Sequence, residues 1–238
     1  GVSALPSVTR AFQTGDSQKL KRTVEAVLRV TFLTALPMGV GLSVLAQPAA
    51  LLIYGARPGT VIVGRVLTAL GAASVFAALC GPLNSILQAM GHVELPVVLT
   101  LIGLFVKAVL DYTLAAVPSV NVLGGAVGTL VCYALASVLA CIAIRRIAGV
   151  KIDFFSTFKK PFLASVCCGV TALLTHKVWC TVLPESRFSA LPAVFLGALI
   201  YVVFLLIARG ICEEDIKALP NGEKITKRLE KYLQKTGG

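Results

Sequence analysis

Residues 96–117 read PVVLTLIGLFVKAVLDYTLAAV, an apolar run interrupted only by Lys107 and Asp111. Its length is what a helix needs to cross a bilayer: roughly 20 residues cover about 30 Å of hydrocarbon at 1.5 Å per residue, and only a helix pairs its own backbone groups in lipid. Five more runs of this kind lie near residues 27–53, 63–90, 122–144, 161–183 and 190–209. Charged residues make up 14% of the chain and mean hydropathy is +0.88. A soluble protein carries about 25% charged residues. The pattern therefore predicts an all-α, polytopic transmembrane helix bundle of six spans.

Residue 1 is Gly, and Gly1 to Arg10 (GVSALPSVTR) has neither the basic start nor the cleavage site of a signal peptide. This stretch reads as the end of an earlier helix, and the chain as the C-terminal part of a larger transporter-like protein.

Six spans place both ends on one side. That face carries Arg10, Lys19, Lys21, Arg22 and Arg29, then Arg145, Arg146, Lys151, Lys159 and Lys160, then Arg209 and a Lys-rich tail, whereas the other face shows Arg57, Arg65 and Arg187. Because Lys and Arg are retained on the inner side during insertion, both ends are expected in the cytoplasm. The net charge of +11 thus reports topology and attraction to anionic inner-leaflet lipids. Nucleic acid is not expected as a partner, since the basic residues sit at span ends without aromatic stacking partners. Seven cysteines show no CxxC and no Cys/His metal spacing, so they read as small packing residues.

Asp16 to Arg29 (DSQKLKRTVEAVLR) has the period of an amphipathic helix, capped near Asp16 and Ser17 after a break at Gly15, lying at the interface and feeding the first span. In that span Pro37 is followed by Gly39 and Gly41, which predicts a bend or broken turn, either a moving hinge set or a static kink packed by its neighbours. The second span ends in Asn84 and Gln88, four apart on one face that should turn toward the bundle or a watery cavity. Glue between helices is the alternative there. Lys107 and Asp111 stand one turn apart at mid-depth, where an ionisable group costs roughly 2.5 to 3.5 kcal/mol on insertion scales, so they should pair or face water. With Arg29, these four residues form the candidate substrate-cavity set. No catalytic residue or metal ligand is expected.

Gly124, Gly125 and Gly128 open the fourth span at spacings that let helices approach closely. Phe154, Phe155 and Phe158, in the connector over Lys151–Lys160, are expected to dip into the membrane interface, and Lys177 to snorkel outward beside Trp179. The last span, almost purely apolar, reads as lipid-facing. Beyond it, Glu223 to Lys235 reads as an interfacial amphipathic helix.

The order of these segments resembles one family. ALPSVTRAFQTGD (4–16), KLKRTVEAVLRVT (19–31), LPMGVGLSVLAQPAALLIYG (36–55), LNSILQAMGHVELPV (83–97), GLFVKAVLDYTL (103–114) and GICEEDIKALPNGEKITKRLEKYL (210–233) are similar to polysaccharide exporters of the stage V sporulation protein B type. These belong to the superfamily of lipid II flippases and multidrug and toxin extrusion transporters. The resemblance implies a fourteen-helix transporter of two six-helix lobes plus two C-terminal helices that shape a groove for a lipid tail. On that pattern residues 1–25 are the end of a preceding helix and a cytoplasmic connector, and 26–146 the four-helix part of the C-terminal lobe. Residues 147–160 are then a cytoplasmic loop, 161–210 the two extra helices, and 211–238 a cytoplasmic tail. Gln47 and Asp111 depart from it, standing where relatives carry an acid and an Asn.

The implied function is alternating-access export of a lipid-linked oligosaccharide or peptidoglycan precursor across the bacterial cytoplasmic membrane. The expected partners are the lipid-linked sugar, membrane lipids and the N-terminal lobe of the same protein. No cofactor is implied, beyond coupling to an ion gradient or the membrane potential. A cation-coupled multidrug antiporter of the same superfamily is the alternative, and would place more acids in its cavity. An integral-membrane transferase or protease would need clustered His, Asp, Glu or Ser, which the two separated histidines do not supply. A non-transporting membrane scaffold has little reason to hold Lys107 and Asp111 in lipid.

Overall fold

The computed structural model describes residues 5–117, 122–149, 154–182 and 195–201, and among them every regular element is helical. In chain order these are α1 (Leu5–Gln13), α2 (Ser17–Val44), α3 (Ala46–Tyr54), α4 (Thr60–Ala89), α5 (Leu95–Ala115), α6 (Val122–Ala148), α7 (Phe154–Val182) and α8 (195–201). Four of them, α2, α4, α5 and α6, are long and apolar enough to cross a membrane, and α7 contains the shorter apolar stretch Pro161–Thr175. The chain is a polytopic helical membrane protein. Cys212, the Glu223–Lys235 stretch and most of the last predicted span lie outside the described residues, as do the side chains of Phe154, Phe155, Lys177 and Trp179.

Local chemistry sets the helix ends. Gly15 takes a positive φ of 68°, and the Lys19 N–H donates to the Asp16 carboxylate at 3.0 Å, as the sequence predicts for the start of α2. α4 closes with Gly91 at φ 86°: Gly91 N–H donates to Gln88 O and His92 N–H to Leu87 O, a Schellman closure that turns the chain straight into α5.

Two expectations are corrected here. The interfacial helix over 16–29 is not a separate element, because α2 runs without interruption from Ser17 to Val44. Nor is the helix broken at Pro37. The interruption comes at Leu45, with φ −95° and ψ 13°, four residues before Ala49, whose N–H donates to the Leu45 carbonyl. Pro48 supplies the reason, since its missing N–H leaves Val44 without a regular partner.

Among the described residues, most of the large buried side chains pack in one cluster. Val8 and Ala11 of α1, Leu20, Val24, Leu28, Phe32 and Leu36 of α2, Leu79 to Met90 of α4, and Ala140 and Ile144 of α6 make one cluster, with Leu28, Leu83, Leu87 and Ile144 fully buried. Phe158 joins it, its ring 5.2 Å from that of Phe32 in an edge-on contact. Helix α7 starts at Phe154, ahead of the predicted boundary at 161.

Elsewhere the helices meet through glycines. A methyl on Gly39 would lie 2.8 Å from the Gly71 carbonyl, and one on Gly71 would lie 2.7 Å from the Ser43 amide, so α2 and α4 cross with their backbones nearly touching. The Ser43 hydroxyl donates across this crossing to Thr68 O at 3.0 Å. α5 and α6 meet the same way, Gly103 against Cys132 and Gly124 against Leu114. Such small-residue seams hold membrane helices by van der Waals contact where no hydrophobic drive between helices exists. α5 leaves most of its surface uncovered, with Val97, Leu101, Phe105 and Tyr112 exposed, as suits a helix facing hydrocarbon.

Candidate functional site

Helix α5 delivers Lys107 and Asp111 as an i,i+4 pair, the ammonium donating to Asp111 Oδ2 at 2.5 Å. The pair lies along the seam with α6. Gly128 makes it possible, because a methyl there would fall on the Asp111 carboxylate. The side chains keep 29% and 34% of their surface, so each is partly sheltered by α6 and partly open. Asp111 Oδ1 is buried and has no hydrogen-bond partner among the described residues. The sequence reading paired these residues correctly but left out α6, whose glycine is what accommodates them.

Asn84 and Gln88 share one face of α4, and it is not the packed face. Leu83, Ile86 and Leu87 point into the core, while Asn84 is half-buried and Gln88 exposed. Arg29 is half-buried on α2, next to core residue Leu28. Of the five candidates, Lys107 and Asp111 touch on α5, while Asn84 and Gln88 stand on α4 and Arg29 on α2.

The hinge set divides as well. Gly39 is buried hard against Val75 and the Gly71 carbonyl and serves close packing. Gly41 has no neighbour within 4 Å of a would-be methyl, and with Pro37 it borders a concavity among the described residues.

This concavity has a volume of about 520 Å³ and lies between α2, α7 and α8. Leu33, Pro37, Met38, Gly41 and Leu42 form one wall, Cys168 and Ala172 another, and Gly197, Ala198 and Tyr201 a third. Small residues on α7 and α8 create the space: Gly197 sits 3.4 Å, measured from its would-be methyl, from both Ala172 and Cys168. The wall is apolar almost throughout, and the Tyr201 hydroxyl donates to the Leu33 carbonyl at 2.5 Å. Such a lining suits hydrocarbon and offers a charged group no partner. The sequence reading missed Tyr201, having taken the last span as lipid-facing throughout. Its one signal was a lone hydroxyl in an otherwise apolar run.

Comparison with known proteins agrees with this architecture. The sequence model of the family described as lipid II flippase MurJ matches residues 1–203. The chain belongs to that family. It is 23% identical over 223 residues to stage V sporulation protein B of Bacillus subtilis (strain 168), an alignment covering 91% of this chain and 40% of the relative. It is 21% identical over 241 residues to the membrane protein YabM of the same organism, described as uncharacterized, covering 99% of this chain and 44% of the relative. The chain thus spans less than half the length of these curated relatives. Members of the MurJ family are membrane flippases for lipid-linked precursors, transporters in class and not enzymes.

Proposed function

We propose that this chain forms the C-terminal lobe of a flippase that carries a lipid-linked oligosaccharide or peptidoglycan precursor across the cytoplasmic membrane by alternating access. The observation that carries the reading is the apolar groove between α2, α7 and α8. A lipid-linked sugar has two parts that need different media. Its tail stays in hydrocarbon while its headgroup needs a polar path, and a protein that moves it must offer both.

The groove supports the first requirement. Asn84 and Gln88, turned away from the packed core of α4, and the half-open Lys107–Asp111 pair on α5 support the second. In this reading Lys107 meets an anionic phosphate of the headgroup, and Asp111 keeps it charged and oriented. The Lys and Arg bias supports a cytoplasmic side for the end bearing α1 and the α6–α7 connection.

The test fills the groove. Ala172→Trp in the full-length protein, reconstituted in proteoliposomes with a fluorescent prenyl-diphosphate sugar, should abolish flipping while the protein remains monodisperse, and should suppress photocrosslinking by a prenyl phosphate carrying a diazirine in its tail. Flipping at the parental rate with the groove filled would remove the tail from this site.

A further inference from the structure

Pro37 lies inside α2 and has no N–H, so the Leu33 carbonyl, one turn earlier, loses its regular helical donor. In hydrocarbon no water replaces that bond, and an orphan carbonyl there is costly unless a neighbour supplies a donor. The neighbour is α8. Tyr201 Oη donates to Leu33 O at 2.5 Å, across 168 positions of sequence. The tyrosine is 8% exposed and packs with Ala164 and Cys168 of α7 and Leu33 of α2, and the Ser165 hydroxyl lies beside its own. One turn earlier on α8, Gly197 abuts Cys168 and Ala172.

We propose that the Tyr201 hydroxyl takes the place of the backbone donor that Pro37 removes, making Tyr201 a positioning residue that latches α8 to α2 and holds the groove closed at the level of Leu33. Leu33, Pro37 and Tyr201 all border the groove, so this bond sets the width of its wall. With the bond made, α2 is satisfied at Pro37 and continues through it as one helix. With the bond broken, α2 lacks a link at that turn and is free to bend there, and α8 is free to swing away. The proline and the tyrosine are thus two halves of one device.

The inference rests on the groove reading only for its meaning in transport, and its test uses no lipid. Met38 and Ala198 line opposite walls of the groove and are both exposed. Spin labels on Met38→Cys and Ala198→Cys, in the full-length protein with native cysteines replaced and held in nanodiscs, report the groove width as a distance distribution. Tyr201→Phe keeps the ring and its packing and removes only the hydroxyl, and should raise the long-distance population about fivefold, the factor set by one net hydrogen bond. Pro37→Ala restores a backbone donor to Leu33, so in that background the same Tyr201→Phe change should have no effect. An unchanged distribution in the Tyr201→Phe protein would overturn the latch. An equal fivefold change with and without Pro37→Ala would also overturn it, since the tyrosine would then act through packing and not through the orphaned carbonyl. The groove reading is judged separately, by the flipping and crosslinking of the Ala172→Trp protein.

Discussion

Gly71→Ala should force α2 and α4 apart. A methyl built on Gly71 lies 2.5 Å from Ser43 Oγ, 2.7 Å from the Ser43 amide nitrogen and 3.0 Å from the Gly39 carbonyl oxygen. The hydroxyl can rotate away, but the other two atoms are backbone and cannot. Bringing the amide contact out to an ordinary 3.4 Å requires the helices to separate by about 0.7 Å at the crossing. Overpacking of this kind costs about 1–3 kcal/mol. Replacing a helical glycine by alanine also gains about 0.5–1 kcal/mol of backbone entropy, which has to be taken out. Gly41→Ala supplies that control: it lies on the same α2, meets nothing within 4 Å, and receives the entropy gain without the clash.

The difference between the two variants isolates the crossing, at about 1–3 kcal/mol, and should appear as a lower midpoint of thermal unfolding for Gly71→Ala than for Gly41→Ala. Thiol-reactive fluorescence melting of the full-length protein in one detergent measures it. The hydrogen bond from Ser43 to Thr68 O should weaken in the same variant, so adding Ser43→Ala should cost less in the Gly71→Ala background than in the parent. Equal melting of the Gly71→Ala and Gly41→Ala proteins would refute the claim that the two backbones meet there.

The remaining predictions concern charge and topology. Asp111→Leu alone leaves Lys107 unpaired beside α6 and should lower stability by up to about 3 kcal/mol, while the Lys107→Leu, Asp111→Leu double variant should recover most of that loss; a double variant less stable than either single one would refute this. If the pair also meets the headgroup, the stable double variant should still lose flipping in proteoliposomes, and parental transport would end that role. Asn84→Leu with Gln88→Leu removes polar groups from the unpacked face of α4, so yield and melting should stay near the parent while flipping falls. A membrane-impermeant maleimide applied to intact cells should leave Cys212 unlabelled, and prompt labelling from outside would invert the orientation.

The sequence by itself determined that this chain is helical and lives in a bilayer, because the physics involved is local. A run such as 96–117 must satisfy its own backbone in lipid, and only a helix does so within one segment. The capping of α2 by Asp16 and the glycine closure of α4 are likewise carried by residues adjacent in the chain. The pairing of Lys107 with Asp111 was legible for the same reason, as the helical repeat places them one turn apart.

What needed tertiary structure were contacts between residues distant in sequence. The glycines at 39 and 41 look equivalent in a string of letters, yet one is jammed against α4 and the other faces open space, because helix rotation is set by neighbouring helices. The half-buried state of the charged pair depends on Gly128, on a different helix. Pro37 reads in isolation as a break, and the helix passes through it. The donor that keeps it intact comes from Tyr201, 168 positions from the carbonyl it satisfies, a separation that no periodicity or spacing rule can reach.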